Sequence, residues 1–348
     1  MYNTPLIDVR APIEFEKGSF PFAVNLPLMN NEERHLVGIT YKKEGHESAL
    51  ALGNSLVNGS IKQERIDKWI DFIKNNSNAK LFCFRGGDRS RISQEWIAEN
   101  RHNIVRLKGG YKAFRTYLME ETERCIEDFE PVVIGGRTGS GKTILLNKLS
   151  NAIDLEGLAN HRGSSFGRKI VEQPTQINFE NSLAYDLIQK LDKGFSKLVF
   201  EDEGDYVGRV YIPKILARHI AKAPLIILET SMEKRVDITL DEYVLKAQVE
   251  YLKKYADGYL EKWSENIHEA MFRIKRRFGD ERYKTVCQLF DNALIDQKKS
   301  FSCEKYKEWI YYLLVEYYDP MYDYQIEKNR DRIIFKGSDK EIEEFLKS

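Results

Sequence analysis

The sequence predicts an α/β chain with two parallel-sheet domains and a mainly helical C-terminal extension. Three observations predict it. Short apolar runs near residues 6–9, 80–84 and 104–107 alternate with stretches of helical spacing, the pattern of strands joined by crossover helices. A further apolar run, Val132-Val133-Ile134, enters a glycine-rich turn that closes on Gly141-Lys142-Thr143. Residues 239–278 and 304–318 are helical in spacing, with dense charge and many aromatics.

The 348 residues leave room for two domains and a smaller module. Expected limits are a first α/β domain over 1–123 and an acid-rich linker over 124–130. A phosphate-binding domain follows over 131–235, then a helical region over 236–348 that closes in a small hairpin of residues 324–327 and 332–335. Lys plus Arg and Asp plus Glu number 54 each, so a nucleic-acid partner would need a local basic face, not a global field. The four cysteines, Cys83, Cys125, Cys287 and Cys303, form no Cys-x-x-Cys pair and sit near no His at zinc-ligand spacing, which argues against a structural metal site. The first residues show no charged region ahead of an apolar one, and no apolar run approaches membrane-spanning length. A reducing, cytoplasmic setting with no membrane partner is expected.

In chain order, residues 6–10 read as a strand ending in an Asp/Arg pair, with Asp8 and Arg10 bracing the sheet edge. Pro12 suits the start of a helical turn. Residues 18–27 read as loop around a second short strand, and residues 30–41 as polar and irregular. Residues 48–57 and 65–74 have helical spacing, with Ile66, Trp69, Ile70 and Ile73 on one core face.

The strand over 80–84 leads into Cys83-Phe84-Arg85-Gly86-Gly87-Asp88-Arg89-Ser90, and a helical pattern begins at Ser93. Backbone N–H groups of such a loop form a nest for an anion, and a helix N-terminus adds positive potential. Arg85 and Arg89 add two charges. Together these favour the thiolate of Cys83, the attacking form. Gly86, Gly87 and Ser90 complete the anion loop. Ligands of parallel α/β sheets gather at the carboxyl ends of strands, where Cys83 falls. A buried structural cysteine beside a surface turn is the plainer alternative.

Ile7-Asp8-Val9-Arg10-x-Pro-x-Glu14-Phe15, then Gly18, Ala23-Val-Asn25-Leu-Pro27, the cysteine loop and Leu107-x-Gly-Gly-Tyr resemble a rhodanese domain. That resemblance implies a chalcogen carried on the cysteine. The loop reads Cys-x5-Arg, one residue longer than the usual rhodanese spacing. Cysteine phosphatases share the longer spacing, so a phosphatase remains a rival; Phe82 stands where many of them carry His.

Gly136, Gly139, Ser140, Gly141, Lys142 and Thr143 satisfy the P-loop pattern, with a strand before and a helix after. The glycines let backbone N–H groups close round a diphosphate, Lys142 supplies a point charge, and Thr143 can ligate Mg²⁺. Leu198-Val-Phe200 followed by Glu201-Asp202-Glu203 reads as an acidic strand end, with Glu201 or Asp202 facing the phosphates, or as a plain surface acid cluster. Residues 154–167, dense in charge, glycine and hydroxyls from Asp154 and Glu156 onward, read as a functional loop, and residues 173–181 with Gln176 as a second polar loop. His161, Arg162, Ser164 and Ser165 suit a polar substrate, with a satisfied surface histidine as the alternative.

The order of these parts, rhodanese domain, P-loop, His-Arg-Gly-Ser-Ser-Phe-Gly, Gln-Pro-Thr-Gln-x3-Glu-Asn and Glu-Asp-Glu, resembles the tRNA 2-selenouridine synthase family over roughly residues 5–235. The resemblance implies a transferase that geranylates the sulfur of wobble 2-thiouridine with geranyl diphosphate. Selenium from selenophosphate then replaces that sulfur to give 2-selenouridine. It implies Cys83 as the selenium-carrying nucleophile, the P-loop as diphosphate site, the tRNA anticodon arm as partner, and no tightly bound cofactor. Two other classes stay open. One is a cysteine phosphatase or sulfurtransferase coupled to a nucleotide-binding domain, and the other a non-catalytic RNA-binding ATPase.

Tyr251, Tyr255, Tyr259 and Trp263 recur every four residues, as helix packing or as a stacking surface for bases. Arg273, Lys275, Arg276 and Arg277 form the sharpest basic cluster. It suits an RNA phosphate backbone, and equally a solvated helix end.

Overall fold

The computed structural model describes residues 4–347; Met1 and Ser348, the outer limits of the expected domains, lie outside the described residues. The chain falls into two compact units. One comprises Met1–Arg124 with Thr175–Gln189, the other Cys125–Pro174 with Lys190–Ser348.

The first unit is built on four parallel strands, β1 (Leu6–Asp8), β2 (Ala23–Asn25), β3 (Lys80–Phe82) and β4 (Val105–Arg106), in the order β2-β1-β3-β4. Helices α1 (Pro12–Lys17), α2 (Asn31–Glu44), α3 (His46–Leu56), α4 (Gly59–Asn75), α5 (Asp88–Glu99) and α6 (Gly110–Arg124) complete the crossovers. Ile66 and Trp69 of α4 are buried with Ile7, Leu81, Trp96 and Ile97, the core face that the spacing predicted.

Residues 30–41, expected to be irregular, are largely helix α2. Its start is a capping box: Asn30 accepts from the Glu33 N–H at 2.8 Å and Glu33 accepts from the Asn30 N–H at 2.8 Å. Glu33 is the buried residue of this helix. A surface helix needs no broad apolar stripe, so periodicity was silent and the cap carried the signal.

Asp8 and Arg10 brace the structure, not at the sheet edge that was expected but at the end of β1, which lies between β2 and β3. Arg10 Nη2 donates to Asp8 Oδ2 at 2.6 Å and to the Gly18 carbonyl at 2.7 Å. Its guanidinium lies 3.9 Å from the Tyr111 ring centroid. Burial pushes the Asp8 carboxyl above its usual range, against the pull of Arg10.

The helix Gln176–Asp192 seats its first part in this unit. Asn178 accepts from the Ser19 N–H, Asn181 donates to the Ser19 carbonyl, each at 2.6 Å, and Arg115 pairs with Glu180. Ala184 joins a core with Phe20, Phe82, Tyr111 and Leu118. The polar motif around Gln176 thus has a packing use, and Gln176 itself donates to Glu180 at 3.0 Å.

The second unit holds a parallel sheet of order β11-β10-β5-β7-β6. Its strands are β5 (Glu130–Gly135), β6 (Ala152–Ile153), β7 (Lys197–Glu201), β10 (Leu225–Leu228) and β11 (Ile333–Gly337), with an outlying hairpin of β8 (Tyr206–Val207) and β9 (Val210–Tyr211). Val133, Ile134, Val199, Phe200 and Ile226 are fully buried, as strands covered on both faces require. Two short helices, α7 (Lys142–Leu146) and α8 (Leu155–Leu158), follow β5 and β6.

Two expected elements differ. The segment read as a linker is a 3₁₀ turn, Cys125–Asp128, with Cys125 and Ile126 buried, and it runs almost directly into β5. The closing hairpin is absent: residues 324–327 lie inside the helix Asp319–Lys328. Residues 333–337 form β11, parallel to β10, with Phe335 opposite Ile226. The Ile-Ile-Phe run is strand-like by itself, but a distant parallel strand, not its neighbour in sequence, satisfies its backbone.

Among the helices that follow, Lys246–Tyr255 and Tyr259–Phe278 are separated by the turn Ala256–Gly258, which interrupts the tyrosine spacing. Tyr251 and Trp263 are buried and Tyr255 is exposed, so core packing accounts for the first two. Trp263, Phe290, Tyr306 and Trp309 centre this core. No helix of the described residues is long and apolar enough to cross a membrane.

Candidate active sites

In the first unit, Cys83 follows β3, and α5 starts at Asp88, five residues earlier than the spacing suggested. Arg89 and Ser90 therefore lie in the first helical turn. Cys83 Sγ is 3.2 Å from Ser90 Oγ, which donates to the Gly87 carbonyl at 3.0 Å. The Cys83 and Phe84 carbonyls accept from Tyr111 and Lys112 N–H at the start of α6, each at 2.9 Å. A trans peptide points its C=O and the following N–H in opposite directions, so the Phe84 and Arg85 N–H groups face away from α6. Among the described residues, the Arg85 N–H donates to no backbone acceptor, which leaves it for an anion.

The two arginines differ. Arg89 donates to Glu14 at 2.6 and 3.2 Å. Burial raises the Glu14 carboxyl, but Arg89, then the Ala11 N–H and Arg34, outweigh it and hold the group below its usual range. The Arg89 charge is thus largely spent on Glu14, whereas the phosphatase reading needs it turned to phosphate. Arg85 is exposed, beside the Phe84 ring.

A cavity of about 710 Å³ opens over Cys83. Met29, Val37, Ile39, Leu50 and Trp96 give it apolar walls, and Arg34, Lys42, Arg85 and Arg89 a cationic rim.

Gly110 makes the loop's close approach feasible. At φ +61° it occupies the left-handed region, and a Cβ there would come 2.3 Å from the Cys83 carbonyl oxygen and 2.6 Å from Gly86 N. Gly110→Ala is expected to destabilise the protein by about 1–3 kcal/mol, read by urea denaturation, and to change the alkylation rate of Cys83. An unchanged midpoint and rate would show that the two backbones need not touch.

In the second unit the P-loop joins β5 to α7, with Gly136, Gly139 and Gly141 all at positive φ. A Cβ at Gly139 would meet Thr239 Oγ1 at 2.5 Å and the Arg235 carbonyl at 2.8 Å. Arg235, itself buried, donates to the Thr138 carbonyl at 2.9 Å and pairs with Asp319 at 2.6 Å. The helical extension therefore holds the P-loop in place. Ser140 is buried with an unbonded hydroxyl. Lys142 Nζ donates to the Gly136 carbonyl at 3.0 Å and lies 5.6 Å from the Tyr322 ring centroid.

Thr143 Oγ1 is 3.4 Å from Glu156 Oε2. Glu156, Glu201 and Glu203 bring one oxygen each within 4.8 Å of one another. Burial, then the Glu156 charge, push Glu203 up to about 9. The same causes raise Glu201 well above its usual range, and burial raises Glu156. Burial opposes the Lys142 charge, but Tyr322 and these carboxylates outweigh it and hold the ammonium above its usual range. Asp202, which follows β7, is exposed as a residue, yet burial raises its carboxyl against the pull of Arg332 and Lys142. β7 ends at Glu201, and the Glu203 N–H turns back to the Glu201 carbonyl at 2.9 Å, which sets Glu203 beside Glu201. Glu156 stood in the charged stretch 154–167 that reads as a functional loop, but its partners were hidden and Tyr322 gave no sign, because β6 beside β7 and the return of the C-terminal helix are non-local.

The substrate-loop residues divide. His161 is buried, its Nδ1 accepting from the Gly163 N–H at 3.1 Å. Burial, then Arg168, Lys169 and Arg162, lower its pKa. Arg162 pairs with Glu250 at 3.1 Å, and Ser164 Oγ bonds the Tyr243 hydroxyl at 2.9 Å. A Cβ at Gly163 would overlap the Glu156 carboxylate, so this loop borders the acidic cluster. Gln176 belongs to the other unit. Of the basic cluster, Arg273 donates to the Ser165 carbonyl at 3.0 Å, Lys275 pairs with Asp280 at 3.2 Å, Arg277 touches Met321 Sδ at 3.5 Å, and Arg276 is exposed. The four are not one undivided patch.

A cysteine loop at a parallel-strand end in one unit and a P-loop in the other define a rhodanese-like domain fused to a P-loop domain. Residues 1–117 match the Rhodanese-like domain family, and residues 129–348 match the family described as tRNA 2-selenouridine synthase AAA domain. The tRNA 2-selenouridine synthase of Sulfurovum sp. (strain NBC37-1) is 66% identical over 99% of this chain and 95% of its own length. Those of Hydrogenovibrio crunogenus and Photobacterium profundum are 48% and 43% identical over 99% of this chain and 95% and 94% of theirs. The chain belongs to the tRNA 2-selenouridine synthase family.

Proposed function

We propose that this protein converts the wobble 2-thiouridine of tRNA to 2-selenouridine by two reactions, one in each unit. The full-length likeness to proteins named tRNA 2-selenouridine synthase supports the overall conversion. In the first reaction the thiocarbonyl sulfur attacks C1 of geranyl diphosphate. The C1–O bond breaks, pyrophosphate leaves, and the base loses its N3 proton. Lys142 and the P-loop N–H groups are suited to receive the departing negative charge.

In the second reaction the geranylthio group is exchanged for selenium. Loading selenium from selenophosphate onto Cys83 with release of orthophosphate would be a two-electron oxidation with no oxidant supplied. A redox-neutral route avoids this. The Cys83 thiolate adds to C2 and expels geranylthiol, which takes up a proton. The selenium of selenophosphate then displaces Cys83, and water cleaves the P–Se bond to give orthophosphate and 2-selenouridine. Cys83 is thus proposed as a nucleophile on the base, not as the selenium carrier that the family resemblance implied.

One observation carries this reading: Cys83 lies beneath a cavity of about 710 Å³ with apolar walls and a cationic rim. Pockets of about 300–1,000 Å³ enclose drug-sized ligands, and a nucleoside bearing an apolar chain and flanked by phosphates has the matching chemistry. Nucleoside mass spectrometry tests it. With geranyl diphosphate and then selenophosphate, 2-thiouridine tRNA is expected to yield geranylated and then selenated uridine. An unchanged base in tRNA that remains bound would overturn the reading in favour of an RNA-binding module.

A further inference from the structure

We propose that helices α2 and α3 form a subsite for the S-geranyl chain in the cavity over Cys83, and that Gly38 and Gly53 set its selectivity by keeping that subsite clear. The inference rests on the geranylated intermediate proposed above for the identity of the chain. It adds where the chain lies and which residues select it.

After proline, glycine is the least favourable residue inside a helix, because it gives up the most backbone freedom on folding. Gly38 lies within α2 and Gly53 within α3. Two ordinary reasons for accepting that cost are missing. Neither residue has a positive φ, so the backbone conformation does not require glycine. Close packing does not require it either. A Cβ at Gly38 would meet nothing within 4 Å, and one at Gly53 would meet only Val37 Cγ2, at an ordinary 3.8 Å. Both glycines line the cavity of about 710 Å³ over Cys83. What a larger residue would change at either position is the free space of that cavity.

The walls around the two glycines are apolar. Val37 and Ile39 from α2 and Leu50 from α3 line the same space, with Tyr41 beside them. Ile39 is 38% exposed and Tyr41 58%. Apolar surface left open beside a nucleophile favours a ligand that brings hydrocarbon out of water. The cationic rim suits the flanking RNA phosphates, so an uncharged, flexible chain on the base is the occupant that matches the walls. Seating this chain would orient C2 toward Cys83. It would also separate tRNA that bears the chain from tRNA with unmodified 2-thiouridine.

The test uses full-length protein carrying Cys83→Ala, to stop turnover, and anticodon stem-loops bearing S-geranyl- or S-methyl-2-thiouridine, with Kd read by calorimetry. Each buried methylene contributes about fourfold in affinity, so the geranyl hairpin is expected to bind about 10²-fold more tightly than the methyl hairpin. Gly38→Leu and Gly53→Leu, each added to that background, should weaken geranyl binding about tenfold or more and leave methyl binding within about twofold. Gly38→Ala and Gly53→Ala should keep the preference and melt at or above the parent. The two leucine positions lie on different helices, so either serves if the other fails to fold, and circular dichroism melts report which variants are native. Native leucine variants that bind both hairpins as the parent does, or that lose both equally, would overturn the proposal. So would a parent with no preference for the geranyl hairpin. The proposed reaction fails separately: wild-type protein that prefers the geranyl hairpin yet releases no geranylthiol from it would support the subsite and overturn the chemistry assigned to Cys83.

Discussion

Cys83→Ala is expected to reduce selenation by about 10³-fold or more, the scale set by loss of a covalent nucleophile, while S-geranyl-2-thiouridine accumulates. Geranyl transfer should continue, because the P-loop unit does not contain Cys83. The variant should remain folded. The thiol is small, it is 3% exposed, and its contacts to Ser90 and Gly87 are single side-chain bonds. The carbonyl bonds from α6 that fix the loop involve backbone only and survive the substitution. The wild-type protein offers a sharper discrimination. With geranylated tRNA and no selenium source, the route through C2 predicts release of about one geranylthiol per chain and a covalent protein–RNA adduct at Cys83. A selenium carrier predicts neither. Full selenation by Cys83→Ala would remove this residue from the mechanism altogether.

Much of this chemistry was legible because it is written in contiguous residues. The P-loop announces itself within eight positions, since closing N–H groups round phosphate demands glycine at fixed places. The cysteine loop does so too, with Cys83, the Gly86-Gly87 pair and Arg89 in one turn. What escaped was set by distance along the chain. Glu14 neutralises Arg89 from another helix. Glu156 reaches Glu201 because β6 pairs with β7, and no local spacing reports which strands are neighbours. The β11 run was visible, but its parallel partner β10 was not. Helix α2 failed for the opposite reason: it has a clear cap and little apolar face, so a reading led by periodicity passed over it. Arg273 looked free for RNA in a linear basic run, yet its guanidinium is engaged by the Ser165 carbonyl.

Lys142→Ala is expected to lower geranyl transfer by about 10²–10³-fold, the cost of removing one preorganised donor from developing negative charge. The ammonium is fit for that role. Burial works against its charge, but Tyr322, Glu156, Glu203 and Glu201 keep it protonated, and the Gly136 carbonyl fixes its direction. Selenation of tRNA that already carries the geranyl group should proceed at the wild-type rate, since that step is proposed for Cys83 in the other unit. This separation makes the experiment decisive between two uses of a P-loop. If the loop instead drives nucleotide hydrolysis, Lys142→Ala would abolish an RNA-stimulated ATPase and spare geranyl transfer. The variant also removes the positive charge nearest three carboxylates, so its melting temperature must be measured alongside. A native-like melt with geranylation lost and selenation retained assigns the lysine to the departing pyrophosphate. Loss of both reactions at a native-like melt would mean that the two units act as one, and that the division of labour drawn from their separate sites is mistaken.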